Sequence, residues 1–170
     1  RFAIPALISG NAVIFKHAPN VLGCGQKITQ LFRQAAFFDG LFQDVILQEA
    51  QVQSLLEDHR IKAVSLTGSF QAGSHVASIA GKLMKPGVYE LGGSDPVIVL
   101  ADADVEKAID ISLKSRMINN GQSCIAAKRL IIEKKCWKQS LDLLLSKMKD
   151  LKVGDPSQSH MDLGPMARKD

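Results

Sequence analysis

The chain has 170 residues, 46% of them hydrophobic, enough to bury the core of one ordinary domain or parts of two. Its 21 basic and 17 acidic residues leave a formal charge of +4, and only 5% of residues are aromatic. Scattered lysines with so few rings argue against a nucleic-acid surface. No apolar run reaches the roughly 20 residues that cross a bilayer, so no membrane partner is expected either.

The sequence starts at Arg1 inside the apolar segment Phe2–Ile8 and ends as abruptly at Asp170, and it is expected to be a fragment of a longer protein. After the turn Ser9-Gly10-Asn11, residues 12–16 read as a short strand ending in Lys16. Asn20 is expected to cap a helix through about Phe37, with Val21, Cys24, Ile28, Leu31 and Ala35 along one stripe, and Asp39-Gly40 stops it. Asp44–Leu47 is the next strand, and Glu49 to His59 a short helix burying Val52, Leu55 and Leu56. A strand over Ile61–Leu66 runs into Thr67-Gly68-Ser69. The helix that follows, about Phe70 to Met84, has small residues at Ala72, Gly73, Ala77, Ala80 and Gly81, which permit close approach to a sheet or ligand.

Val88–Leu91 makes a fourth strand before Gly92-Gly93 breaks the pattern. Pro96–Leu100 is a further strand. Asp102 and Asp104 sit where a helix to about Ile118 begins, which favours capping over metal binding. The polar loop Asn119–Cys124, a strand over Arg129–Glu133 and a helix from about Cys136 to Leu151 follow. That helix is expected to bury Leu141, Leu144, Leu145 and Met148, and Gly154-Asp155-Pro156 opens a last loop. Strands alternating with helices predict an α/β fold, a Rossmann-like parallel sheet with helices on both faces and then the start of a second α/β domain. The double glycine sets the expected boundary, residues 1–91 and 92–170.

Three cysteines, Cys24, Cys124 and Cys136, are odd in number and lack metal-ligand spacing, so no metal is expected and a reduced, cytoplasmic setting is. Cys124 stands on a polar loop between two apolar segments, where a thiolate could attack a carbonyl carbon, although most lone cysteines are small buried hydrophobes. Glu90 lies in an otherwise apolar strand and suits a general base or, equally, an exposed strand edge. The turn at Gly68-Ser69 could seat a pyrophosphate at a helix N-terminus, or be an ordinary tight connection. Lys16 is either a ligand at the carboxyl edge of the sheet or a surface lysine. His17, His59, His75 and His160 show no obvious partners and read as structural. Arg116 reads as a solvated helix position rather than a substrate contact.

Taken together, Gly10–Lys16, Leu66–Ser69, Glu90–Pro96, Asn120–Cys124 and Lys152–Pro156 resemble, in order and spacing, the aldehyde dehydrogenase superfamily. Phe15–Val21, Gly92–Pro96 and Gly164–Arg168 are similar to its bacterial succinate-semialdehyde dehydrogenases. The resemblance implies NAD or NADP as cofactor, a small aldehyde such as succinic semialdehyde as substrate, and a homo-oligomeric full-length protein. It implies Cys124 as nucleophile and Glu90 as the base for the deacylating water. Lys16 would hold the adenosine ribose, Gly68 and Ser69 the pyrophosphate, with Leu91 and Gly92 also on the cofactor. The family's oxyanion-hole asparagine would precede Arg1, and the residues that position the nicotinamide ribose would follow Asp170. The isolated polypeptide is therefore expected to turn over negligibly. Pro19 replaces a glutamate that would repel a 2′-phosphate, which admits NADP. Gln48-Glu49-Ala50 replaces a glycine-containing turn on the adenine side. Met117 and Ile118 stand where succinate-semialdehyde enzymes carry an arginine.

Overall fold

A computed structural model describes residues 2–35 and 38–169, which divide into two compact units, Arg1–Leu91 and Gly92–Asp170. The first contains α1 (Ala3–Ile8), β1 (Val13–Phe15), a 3₁₀ turn at Pro19–Val21, α2 (Leu22–Gln34), β2 (Phe42–Asp44) and α3 (Glu49–Glu57). It ends with β3 (Val64–Thr67), α4 (Phe70–Lys82) and β4 (Gly87–Glu90). The second contains β5 (Asp95–Val99), α5 (Val105–Met117), a 3₁₀ turn at Ile118–Gly121, β6 (Ala127–Ile132) and α6 (Trp137–Lys149).

Strands pair two by two, β1 with β2, β3 with β4 and β5 with β6, all parallel. Parallel neighbours cannot be joined by a tight hairpin, so each pair encloses a crossover helix, α2, α4 and α5 respectively. The predicted alternation of strand and helix is present, and among the described residues its ladders run as three two-stranded pieces. In the first unit Val13, Phe42, Leu56, Val76 and Ala80 are buried. In the second, Val99, Ile109, Leu113, Ala126, Ala127 and Cys136 are.

Several elements differ from expectation for identifiable reasons. The second strand is Phe42–Asp44 rather than Asp44–Leu47. Phe42 stacks on Phe32 of α2 with ring centroids 4.2 Å apart and pairs with Val13, which locks the register two residues early and leaves Ile46 exposed. Asn20 lies inside the 3₁₀ turn and caps nothing. Val21 holds the N-cap position of α2 without a side-chain bond, and the predicted end of that helix at residues 36 and 37 lies outside the described residues.

The apolar stripe of Val21, Cys24, Ile28 and Leu31 faces outward, and α2 buries Gly25 and Thr29 instead. Gly25 lets the helix rest on the ring of His17, where a Cβ would come within 2.5 Å of Cδ2. Likewise α6 buries Ser140 completely and leaves Leu145 and Met148 exposed. It packs on α5, with the Lys147 ammonium 2.7 Å from Asp110. At the start of α5 it is Asp104 that caps, accepting from the Lys107 N–H at 3.1 Å. The end of α3 is closed from outside the helix, since the Lys85 ammonium donates to the carbonyls of Leu56 and Asp58.

The close approach of α2 to His17 is testable within one helix. Gly25→Ala should lower the unfolding free energy by about 1–3 kcal/mol, the usual cost of overpacking. Gly23→Ala, whose Cβ meets nothing within 4 Å, should leave the urea midpoint unchanged or raise it slightly. Equal effects of the two would contradict this packing.

Candidate active site

In the first unit the carboxyl ends of β3 and β4 lie side by side. Thr67 pairs with Glu90, and the Gly68 N–H donates to the Glu90 carbonyl at 3.0 Å, so the turn into α4 and the carboxylate-bearing residue share one edge. Ser69 is the N-cap of α4, and its Oγ accepts from the Ala72 N–H at 3.2 Å while the hydroxyl proton stays available to donate outward. Gly68, Ser69 and Glu90 are exposed. No acidic residue stands in the first turn of α4 to neutralise the partial positive charge of its N-terminus. Leu91 is half-buried, its side chain lying where a Cβ on Gly73 of α4 would be.

Lys16 directly follows β1 and is half-buried, with its ammonium donating to the His17 carbonyl at 3.3 Å. His17 does have a partner, contrary to the sequence reading. Its ring is buried, Nδ1 donates to the Ala18 carbonyl at 2.9 Å, and Nε2 stands 3.6 Å from Oδ1 of Asp44. The lysine thus sits beside a ring fixed from two sides, by Asp44 and by Gly25 of α2.

The second unit begins at Gly92, which is exposed, and carries Cys124. The chain leaves α5 through three consecutive left-handed residues, Asn119 (φ 50°), Asn120 (φ 57°) and Gly121 (φ 77°). Asparagine and glycine are the residues that enter this region at least cost. A short turn follows, closed by the Ala126 N–H donating to the Ser123 carbonyl at 3.1 Å, and Cys124 is exposed on it.

Four tethers hold this loop. Arg116 Nη1 donates to the Gly121 carbonyl at 3.0 Å. The Lys128 ammonium donates to the carbonyls of Ser123, Cys124 and Ala126 at 2.8, 3.1 and 3.3 Å. The side chains of Asn120 and Gln122 bond to the main chain of Gly164–Ala167. Gly93 lies under the loop so closely that a Cβ there would be 2.5 Å from the Cys124 carbonyl oxygen, and Arg129 Nε fixes the neighbouring Ser94 carbonyl at 2.9 Å. Arg116 is an exposed position of α5, as expected, and it also braces the loop. Lys128 is a tether that sequence reading passed over, and only its spacing from the cysteine could have flagged it.

Cys24 is exposed on α2, and Cys136 is buried with its Sγ toward the carbonyls of Leu100 and Glu133. Of the three thiols, Cys124 alone is both exposed and carried on a loop fixed from several directions. Among the described residues no group of three or more His, Cys, Asp or Glu side chains could hold a metal ion, and no helix is long and apolar enough to cross a membrane.

Comparison with known proteins places the chain. The family profile "Aldehyde dehydrogenase family" matches residues 1–170. A relative named "Probable succinate-semialdehyde dehydrogenase [NADP(+)]" from Synechocystis is 46% identical over 170 residues, covering 100% of this chain and 37% of its own. "Succinate-semialdehyde dehydrogenase [NADP(+)] 1" from Mycobacterium tuberculosis is 44% identical over 167 residues, covering 98% and 36%. Among solved structures, succinic semialdehyde dehydrogenase from Streptococcus pyogenes in complex with NADP+ superposes with a TM-score of 0.93 at 33% identity, covering 98% of this chain and 36% of that one. The chain thus spans little more than a third of the length of these curated relatives.

The seat of the cysteine loop on Gly93 yields a local prediction. Gly93→Ala should displace the Cys124 carbonyl and change the iodoacetamide alkylation rate of Cys124 by about threefold or more, as expected for an overpacking strain of about 1 kcal/mol. Cys24 in the same chain serves as the internal reference, and unchanged rates at both would contradict the contact.

Proposed function

The chain belongs to the aldehyde dehydrogenase family, and we propose that it contributes the nucleophile, the hydrolytic base and part of the cofactor site of an NADP-accepting succinate-semialdehyde dehydrogenase. The observation that carries this reading is Cys124, exposed on a multiply tethered loop in a chain that matches the family from end to end. The names of the relatives support succinic semialdehyde as substrate and NADP as cofactor. Pro19, in place of a ribose-binding glutamate, leaves no carboxylate at that position to repel a 2′-phosphate.

The residues at the end of β3 fit a dinucleotide. The exposed Gly68-Ser69 turn, the free proton of the Ser69 hydroxyl and the unneutralised N-terminus of α4 suit a pyrophosphate. Lys16, at the end of β1, would hold the adenosine ribose, with Leu91 and Gly92 also contributing to the cofactor site. The chemistry that a bound NAD(P) supplies is acceptance of a hydride.

Cys124 acts as a thiolate. It adds to the aldehyde carbon to form a thiohemiacetal, whose oxyanion a main-chain N–H near the cysteine stabilises. Loss of hydride leaves a thioester on Cys124. Glu90 takes a proton from water as that water attacks the thioester carbon, and the acid leaves with the thiolate restored. A base at this position favours hydrolysis over transfer to coenzyme A. We place the full-length protein in the cytoplasm as a homo-oligomer.

Two substitutions in the full-length protein separate the steps. Cys124→Ser should lower kcat roughly 10³-fold or more while leaving cofactor affinity nearly intact. Glu90→Gln should still give one burst of reduced cofactor per site and then stall at the thioester. Full turnover by the serine variant, or a missing burst in the glutamine variant, would sink the corresponding assignment.

A further inference from the structure

The loop that carries Cys124 is tied to a segment about 45 residues further along the chain by bonds that the catalytic reading does not require. The side-chain amide of Asn120 uses both its ends on one stretch of main chain. Nδ2 donates to the Pro165 carbonyl at 3.0 Å, and Oδ1 accepts from the Gly164 N–H at 3.2 Å. Gln122 bridges in a second way. Its Oε1 accepts from the Ala167 N–H at 2.9 Å while its Nε2 donates to the Asn119 carbonyl at 3.2 Å, inside the left-handed run itself. Residues 164–167 thus hold both flanks of Gly121 through three main-chain groups.

The segment is in a position to do this because its near end is fixed. Val153 and Leu163 form a parallel bridge, and the Gly154 N–H donates to the Leu163 carbonyl at 3.0 Å. The Lys152 carbonyl accepts from the N–H groups of Asp162 and Leu163 at 2.9 and 3.1 Å, and the Asp162 carboxylate accepts from the Lys152 N–H at 2.9 Å. The holding force therefore runs from the chain just beyond α6 into the loop. Asn119 and Asn120 occupy a backbone region that L-residues leave readily, so without outside bonds the loop would fall back towards right-handed geometry and carry Cys124 with it.

We propose that residues 164–167 form a strap that sets the position of Cys124, with Asn120 and Gln122 as its positioning residues. This rests on Cys124 being the nucleophile. The strap acts on the attack geometry rather than on cofactor binding, because every bond it makes falls within the unit Gly92–Asp170. Misplacement of a nucleophile by about 1 Å costs on the order of 10²-fold in rate.

The test compares Asn120→Gly, Gln122→Met and Gln122→Glu in the full-length protein. Asn120→Gly keeps the freedom to be left-handed and removes both of its strap bonds. Gln122→Met removes the polar atoms at similar size, and Gln122→Glu keeps the acceptor for the Ala167 N–H. The proposal expects Asn120→Gly and Gln122→Met to lower kcat about 10²-fold with the cofactor KM within about twofold, and Gln122→Glu to recover most of the loss. Alkylation of Cys124 by iodoacetamide, normalised to Cys24, should change in the same two variants. Wild-type kcat and alkylation in both would overturn the strap. So would a parallel rise in cofactor KM with loss of thermal stability, which would make these bonds ordinary packing. If Cys124→Ser is itself active, the catalytic reading fails, while the alkylation comparison still decides whether the strap holds the loop.

Discussion

The three-residue left-handed passage from Asn119 to Gly121 is the constraint on which the candidate catalytic loop depends. A helix that simply continued past Met117 would bury or misdirect the cysteine. α5 ends where Ile118 turns extended (φ −50°, ψ 124°), and the left-handed run that follows leads to Cys124 on an exposed turn before β6. Such a path is not self-supporting. Arg116, Lys128, Asn120 and Gln122 each contribute hydrogen bonds to main-chain groups in or beside it. Most of these bonds end on carbonyl oxygens of the loop and of the segment it is tied to. Conformational cost and polar satisfaction are thus met by the same side chains.

Parallel pairing imposes the second constraint. Each of the three strand pairs requires a helix between its strands, and the turn from strand to helix then lies at the carboxyl edge. For β3 and β4 that edge combines a helix N-terminus with Glu90, joined by the bond from Gly68 to the Glu90 carbonyl. A helix N-terminal turn and the carboxylate-bearing residue meet on one edge because the two strands are parallel, without any dedicated scaffold.

Much of this was legible in the sequence, and the failures have a common cause. Alternating strands and helices, the Ser69 turn and the cap at Asp104 all rest on local chemistry, within a few residues of each other. The face that α2 presents inward was misread because its contacts are made by Gly25 and Thr29, small residues that carry no hydrophobic signal, while the visible apolar stripe points outward. The same happened with Ser140 in α6. The register of β2 follows from the stacking of Phe42 on Phe32, a contact between elements that no local pattern announces. Around Cys124, the sequence shows a polar loop, and its left-handed backbone at Asn119-Asn120-Gly121 emerges only in the structure. The partners of its tethers, 45 residues away, left no trace at that range.

The central claim is that Cys124 carries the acyl group. It is tested most directly by mass spectrometry of the full-length Glu90→Gln protein, quenched during reaction with succinic semialdehyde and NADP. The account predicts a succinyl adduct on the peptide that contains Cys124 and none on those containing Cys24 or Cys136. An adduct on either of the other cysteines, or no adduct while reduced cofactor accumulates, would contradict it.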